Sequence, residues 1–424
     1  VTKKEVMEAA FRVWGREFYN RTSLSQVARE LNVSKPALYR HFRNKKALLE
    51  AMTRYFFDDF ASIVQADYEK ALNSEDNDER IFILIRSIAE YYARNVDLFI
   101  FSMIQLHDSR LTGFNMLEEL CVRGVDMEFF HRSIQKNYLF EPMVMSLVFT
   151  TLTFYLAGFH KRRISASPGG VVISPPDEKA IRKIPVVISK IIGKGLGYTY
   201  EEIGDLDYQR LENGIAGTVG NIEDDPLLKA VTGAVAEAGP WEASMEQVAR
   251  LSGLSKSSLY CHFKNRQDML YRFFKTESLR IMHFARQGIG RSALPQEQLY
   301  LGIYSIAEYL CSKPDILMAL DWIRNRRLNI HPPDGIHSPP PPELGTLFNE
   351  IDIKPLRSGE SPFRGMLTEE DGSSSISLWI LVLIVNTLMR KNPGQLSTAV
   401  PGSDIRILFR FLTLGIGGFK TSEK

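Results

Sequence analysis

Apolar residues along this chain recur at spacings of three and four rather than two. Ile81, Leu84, Ile85, Ile88 and Tyr92 are one such set, and that spacing places all five on one face of a helix. No segment carries sustained strand alternation, so the pattern predicts an all-α protein. Gly and Pro gather between the helical stretches at 167–177, 204–226 and 331–342, where they predict turns and loops. The middle cluster reads as an interdomain linker, and HPPDGIHSPPPP at 331–342 reads as an extended surface loop. The longest apolar stretches, 146–159 and Ile376–Met389, are interrupted by Ser, Thr, Gly or Asn. Both fall short of the ~18–20 residues that a membrane span requires, so no membrane partner is expected.

Comparing the chain with itself changes the picture most. SLSQVARELNVSKPALYRHFRN at 23–44 and SMEQVARLSGLSKSSLYCHFKN at 244–265 are identical at 12 of 22 positions. SIAEY occurs at 87–91 and again at 305–309, and Gly195-Leu-Gly197 pairs with Gly415-Ile-Gly417. Three matches in the same order at nearly one spacing predict two copies of one fold, roughly 1–200 and 222–424. A length of 424 residues, about three times the ~150-residue prior for one domain, agrees with several folded units.

Charge is uneven. The whole chain carries +2, but residues 1–54 hold 12 Lys/Arg against 5 Asp/Glu, a local +7. A basic end on an acidic remainder points to a polyanionic partner. The three cysteines, Cys121, Cys261 and Cys311, form no CxxC pair. They offer neither a disulfide framework nor a zinc ribbon and suit a reducing, cytoplasmic compartment. No Ser-His-Asp, Cys-His or paired-carboxylate constellation stands out, so no enzymatic activity and no cofactor are expected. Gly193–Gly197 (GKGLG) lacks the strand and Lys-Ser/Thr of a phosphate loop and reads as a flexible helix end. His331, Asp334 and His337 lack the further ligands a metal site needs.

The duplicated segment has the grammar of a helix-turn-helix. Ser23 with Gln26, and Ser244 with Gln247, fit a capping box that opens a short helix. Ala28 and Ala249 are small enough for two helices to cross closely. Asn32 and Gly253 follow four residues later, the residue types that tolerate a left-handed turn. Ser34 and Ser255 are natural N-caps for a second helix. Its buried face is expected to hold Leu38 and Phe42, or Leu259 and Phe263. Its outer face is expected to hold Lys35, Tyr39, Arg40 and His41, or Lys256, Tyr260 and His262. Asn44 and Asn265 then cap a following helix whose first turn holds Lys45 or Arg266.

This order of residues, found twice, resembles the DNA-binding domain of the TetR family of transcriptional regulators. The resemblance implies a tandem TetR-like fold. Helix-turn-helix domains are expected at 1–54 and 226–275, helical ligand-binding and dimerisation domains at 55–200 and 276–424, and a linker at 201–225. It also implies a recognition helix at 34–42 lying in the major groove of a double-stranded DNA operator. Tyr39, His41 and Lys45, with Tyr260, His262 and Arg266, resemble family residues that grip phosphates. Base reading would fall to Ser34, Lys35, Pro36 and Arg40, and to Lys256 and Ser257; Cys261 replaces Arg40 and cannot make its bidentate guanine contact. The chain departs from the family pattern at Phe18, where Gly is usual and the second copy keeps Gly239, and at Asn32. Residues 222–275 carry no net charge, which weakens the second head.

Family members pair as homodimers. Here the resemblance implies an intramolecular pseudo-dimer in which apolar helices at 143–159 and 184–196 meet those at 377–389 and 405–414, reading an operator with unlike half-sites. Higher homo-oligomers stay open. A small apolar or aromatic effector is expected among Tyr91, Tyr92, Phe99, Phe130, Phe154 and Tyr155 in one copy. The corresponding set in the other is Tyr304, Tyr309, Trp322 and Trp379. Repression is the family default. The alternative is a ligand-sensing or protein-interaction module in which the second or both helix-turn-helix copies no longer bind DNA.

Overall fold

The structure is a computed structural model; its description covers residues 1–16, 22–104, 115–134, 142–167, 170–204, 206–217, 225–239, 242–327, 345–348, 351–353, 372–390 and 399–419. The chain begins with α1 (Lys3–Arg16), α2 (Leu24–Glu30), α3 (Lys35–Tyr39) and the long α4 (Lys45–Asn73). Next come α5 (Asn77–Arg94), α6 (Val96–Ile104), α7 (Met116–Cys121), α8 (Met127–Ile134) and α9 (Pro142–Lys161). A hairpin of β1 (Ile164–Ser167) and β2 (Gly170–Ile173) leads into α10 (Glu178–Lys194). Short helices α11 (Tyr200–Ile203) and α12 (Tyr208–Ile215) precede α13 (Pro226–Ala238), α14 (Met245–Ser252), α15 (Lys256–His262) and α16 (Arg266–Ile289). The last described helices are α17 (Pro295–Ser312), α18 (Pro314–Arg327), α19 (Gly372–Met389) and α20 (Gly402–Leu414), closed by a 3₁₀ turn at Gly415–Phe419.

Helix α5 shows why these segments are helical. Asp76 caps it by accepting from the Asp78 N–H at 2.8 Å. Asp78 and Glu79 sit in its first turn and Arg94 in its last, matching the helix dipole. Ile81, Leu84, Ile85 and Tyr92 are buried, as their spacing requires, with Ile88 half-buried beside them.

Among the described residues the fold is helical, as expected, and the hairpin corrects only the Gly/Pro loop expected at 167–177. Its strands pair antiparallel with Ile164 opposite Ile173 and Ser167 opposite Gly170, where sequence suggested only a Gly/Pro-rich loop. Four-residue strands are too short for alternation to register. A second correction concerns α9. The helix has 20 residues, long and apolar enough by length and composition to cross a membrane. The sequence expectation undercounted it by starting at Ser146. Most of it is buried inside the protein, against α5, α10, α19 and α20.

Helices α9, α10, α19 and α20 form one packed layer joining residues more than 200 positions apart. The buried Trp379 indole donates to Thr151 Oγ1 at 3.1 Å, and Asn386 Nδ2 donates to Ser146 Oγ at 2.9 Å. The Leu196 and Tyr198 N–H groups donate to the Leu412 and Thr413 carbonyls at 2.7 and 3.1 Å. At the crossing, Gly195 (φ 53°) faces Gly415 (φ 63°). A Cβ on Gly195 would lie 2.4 Å from the Leu412 carbonyl, and one on Gly415 would lie 2.4 Å from that of Ile192. Only glycine permits both the backbone conformation and the approach. The GKGLG segment is therefore a pinned crossing rather than a flexible helix end.

The stretch expected to be a linker is also structured in part. Leu211 and Ile215 of α12 are buried. Glu212 takes two hydrogen bonds from Arg406 at 2.8 Å each and one from the Tyr300 hydroxyl. Arg210 pairs with Glu297 at 2.6 Å. Gly/Pro content marked a boundary but could not show that α12 carries an apolar face for α17 and α20. Phe18 and the 331–342 loop, including His331, Asp334 and His337, lie outside the described residues. Among the described residues no cluster of metal-binding side chains occurs.

Candidate nucleic-acid interface and apolar cavity

In the first head, Ser23 and Gln26 complete the capping box: the Gln26 N–H donates to Ser23 Oγ at 3.3 Å and the Ser23 N–H donates to Gln26 Oε1 at 2.6 Å. Asn32 then adopts φ 54°, and the Val33 N–H closes the turn on the Ala28 carbonyl at 2.9 Å. Arg12 pairs with Glu30 at 3.1 Å and ties α1 to α2. Leu38 and Phe42 are buried and hold α3 down, which turns Lys35, Pro36, Tyr39 and Arg40 to the outside. Tyr39 is 45% exposed, with the Lys35 ammonium 5.9 Å from its ring centre.

The expected recognition helix at 34–42 is shorter than foreseen. Only Lys35–Tyr39 is helical, and Arg40 and His41 continue it as turn. Ser34 occupies the N-cap position without a side-chain capping bond; it is exposed, and His41 is half-buried. Asn44 caps α4 through the Ala47 N–H at 2.8 Å. Lys45 is half-buried, and burial lowers its pKa. Arg29, Arg43 and Lys46 are exposed beside these residues. They belong to the same basic surface, although the motif did not single them out; the local +7 was their only signal.

The second head repeats the framework and changes the surface. Ser244 and Gln247 form the same box at 3.2 and 3.1 Å, and Gly253 takes the left-handed turn at φ 69°. Ser255 Oγ accepts from the Ser258 N–H at 3.0 Å, and Leu259 and Phe263 are buried. Tyr260 is 48% exposed, and Ser257, Cys261 and His262 are exposed with it. Several of its cations, however, are engaged. Lys256 pairs with Glu246, Arg250 with Glu237 and Arg272 with Asp268. Arg266, expected to face phosphate, donates through Nε to the Ala243 carbonyl at 2.7 Å; its long side chain folds back to satisfy a carbonyl of its own head. Leu251 and Leu254 add exposed apolar surface there.

Beneath the first head, α4, α5, α7, α8 and α9 enclose a cavity of about 550 Å³. Phe56, Phe60, Leu84, Tyr92, Phe130 and Leu152 are among its walls. Of the six expected ligand contacts in this half, only Tyr92 and Phe130 line it. Tyr91 turns away: its hydroxyl donates to Asp59 Oδ2 at 2.9 Å, and burial, with Asp59 beside it, raises its pKa. Phe99 packs behind Tyr92, between that ring and His160. Phe154 and Tyr155 lie on α9 outside the lining. Periodicity marked these aromatics as interior but could not tell which side of α4 they would face.

In the second half, Tyr309 is buried and donates to Glu277 at 2.5 Å. Tyr304 packs near Tyr300, and burial, the largest cause, pushes its pKa up to about 12. Trp379 belongs to the α9–α19 contact, where its indole bonds Thr151, and it does not line the cavity of the first half. The Trp322 side chain lies outside the described residues.

Comparison with known proteins bears on this arrangement. Residues 6–52 match the family of bacterial regulatory proteins, tetR family. A 56-residue stretch is 38% identical to the uncharacterized HTH-type transcriptional regulator YuxN of Bacillus subtilis (strain 168), covering 13% of this chain and 19% of that protein. A 93-residue stretch is 29% identical to the biofilm operon icaADBC HTH-type negative transcriptional regulator IcaR of Staphylococcus aureus (strain Newman), covering 22% of this chain and 50% of IcaR. The chain thus spans half or less of the length of these relatives. A solved structure, the TetR family transcriptional regulator PfmR from Thermus thermophilus, is similar at 24% identity over 32% of this chain and 70% of its own, with a TM-score of 0.26. The family match thus covers residues 6–52 of the 424, and each of the two regulators is similar to this chain over 22% of it or less.

Proposed function

We propose that this chain is a DNA-binding transcriptional repressor built from two TetR-like copies, which pair within one chain and read an operator with unlike half-sites. The observation that carries the DNA reading is the outward face of α3: Tyr39, Lys35 and Arg40 exposed on a helix anchored by Leu38, amid a basic surface. An α-helix of this kind fits the major groove, and phosphate contacts from the surrounding cations position it. The glycine crossing and the Trp379–Thr151 bond support pairing of the two copies. The domain limits 1–54, 55–200, 226–275 and 276–424 follow from this reading, and α11 and α12 serve as the connector. A small apolar effector in the first cavity would bias DNA-competent against DNA-incompetent arrangements. IcaR is named a negative regulator, which favours repression, in the cytoplasm where DNA and reduced thiols coexist. No enzymatic step is assigned.

The test is site selection on random DNA followed by fluorescence anisotropy. Arg40→Ala is expected to weaken binding by about 1–3 kcal/mol and to relax preference at one base. A selected site that is a perfect palindrome overturns the unlike-half-site reading, and affinity independent of salt overturns DNA binding itself. A second reading, in which α15 no longer reads DNA, draws on the Lys256–Glu246 pair and the inward Arg266. Under it, Tyr260→Ala/His262→Ala leaves affinity unchanged while Arg40→Ala does not.

A further inference from the structure

We propose that Glu246 is an internal counterion: it holds, in α14–α15, the place where α2–α3 receives a DNA phosphate, and so sets how strongly α15 engages a duplex. The inference rests on the DNA reading above and deepens it.

The notch between α2 and α3 has a volume of about 380 Å³ and is lined by Ser25, Ala28, Arg29, Asn32, Val33 and Lys35. Arg29 and Lys35 are exposed and Ser25 is half-buried. A hydroxyl and two cations lining one notch supply the chemistry that grips phosphate oxygens. At the repeat spacing, the matching positions hold Glu246, Ala249, Arg250, Gly253, Leu254 and Lys256. Both cations are retained. Within this set the one change of charge is from Ser25 to Glu246.

That change neutralises the notch from inside the protein. Lys256 Nζ donates to Glu246 Oε1 at 2.5 Å, and both residues are exposed. Their hydrogen bond holds the Glu246 carboxyl below the usual carboxylate range and raises the Lys256 ammonium above its own, so both are charged at neutral pH. Arg250 lies 3.9 Å from Glu237, and the residue matching Glu237 is Arg16. Carboxylates therefore stand beside both retained cations.

The fold does not need the Glu246–Lys256 pair. An exposed ion pair contributes little to stability. Helix α14 is already capped by Ser244 and Gln247 and anchored by the buried Met245 and Val248. The pair acts instead on anions. A phosphate approaching Lys256 must displace a carboxylate, and it meets that charge well inside a Debye length of ~10 Å at 0.1 M salt. Lys256 then adds little to counterion release, because its partner anion belongs to the chain. Glu246 is thus a positioning residue that works through Lys256.

The experiment measures binding of the full chain to a short mixed-sequence duplex by fluorescence anisotropy, between about 50 and 200 mM salt. Glu246→Ser, which copies Ser25, is expected to raise affinity about tenfold at low salt and to steepen the slope of log K against log salt by about 1. Glu246→Gln, which keeps the side-chain length, should do the same. The gain should vanish in a Lys256→Ala background, which separates release of Lys256 from a mere change in net charge. The reverse swap, Ser25→Glu, should lower affinity about tenfold and flatten the slope by about 1. A carboxylate in the first turn suits a helix N-terminus, so α2 stays folded, as thermal melting checks.

An unchanged slope in both Glu246 variants, or a gain that survives Lys256→Ala, would overturn the inference. If the natural chain binds with salt dependence and neither swap moves the slope, the DNA reading stands and this one is lost. If the natural chain does not bind but Glu246→Ser does, the DNA reading is lost and this one stands. Binding by neither chain overturns both.

Discussion

The helix pairs α2–α3 and α14–α15 share a skeleton and differ in what they present. Both open on a Ser–Gln capping box, turn through a left-handed residue and bury a Leu–Phe pair. In the first, Lys35, Arg40, Arg43 and Lys46 stand exposed. In the second, Lys256, Arg250 and Arg272 meet carboxylates, and Arg266 bends onto a backbone carbonyl. The positions that make the skeleton match; on the surface Lys35/Lys256, Tyr39/Tyr260 and His41/His262 match as well, but the charges around them differ. Deeper in the protein, Phe56 of α4 lines an apolar cavity, whereas Glu277, at the same repeat position in α16, is a buried carboxylate bonded to Tyr309 and Arg280.

The largest expected effect tests the contact that joins the halves. Gly195→Ala forces a Cβ into the Leu412 carbonyl at a positive φ, and is expected to cost about 3 kcal/mol or more in urea unfolding. Gly197 also has positive φ (78°) but open space around it, so Gly197→Ala should cost only about 1 kcal/mol of backbone strain. Equal losses would show that the crossing is not tight.

Next in size is the pair of tyrosines in the repeated SIAEY motif. Tyr309→Phe removes one of the bonds to the buried Glu277, leaving that from Arg280, and is expected to lower stability by about 2 kcal/mol. Tyr91→Phe should cost about 1 kcal/mol or less, because Asp59 is only half-buried and can turn to water. The reverse order in thermal melts would contradict the contrast between the two cores.

Acid should act first on the half that holds His160, the buried histidine of the described residues. Its Nε2–H donates to the Tyr92 carbonyl and its Nδ1 accepts from Arg163, both at 2.9 Å. Burial, the largest cause, and the nearby Arg163 lower its pKa from 6.5 to about 3. The folded state therefore binds fewer protons than the unfolded chain between these values. Stability is full above pH 6.5 and falls by about 1.4 kcal/mol per pH unit as pH drops toward 3. Hydrogen exchange at pH 5 should open α5 and α9 before α16 and α17; simultaneous opening would argue against His160 as the cause.

The smallest effect is at Lys256. Already paired with Glu246 on an exposed surface, it should change DNA affinity by only a few tenths of a kcal/mol on Lys256→Ala, with little effect on the salt dependence. A loss comparable to Arg40→Ala would restore the second head as a full reader.

Much of the framework was legible from residue order because it obeys local rules. Capping boxes, the Asn32 and Gly253 turns and the α5 face each depend on atoms within a turn or two of one another. Individual side chains beyond that range were not. Adjacent tyrosines 91 and 92 have the same composition and opposite surroundings, one bonded to Asp59 and the other lining the cavity. Arg266 sits at the repeat position of Lys45, and its guanidinium reaches back 23 residues to the carbonyl of Ala243. Nothing in the Gly/Pro content around α12 revealed Glu212 clasping Arg406.

By itself the sequence determined the helical periodicity, the repeated helix-turn-helix grammar and the basic start, since hydrogen-bond caps and steric limits on φ act over a few residues. Tertiary structure decided where the apolar helices meet, which aromatics enclose a space and which cations remain exposed. Those outcomes depend on groups far apart in the chain coming within hydrogen-bond reach, as the Leu196 N–H and the Leu412 carbonyl do at 2.7 Å, and no local rule spans that separation.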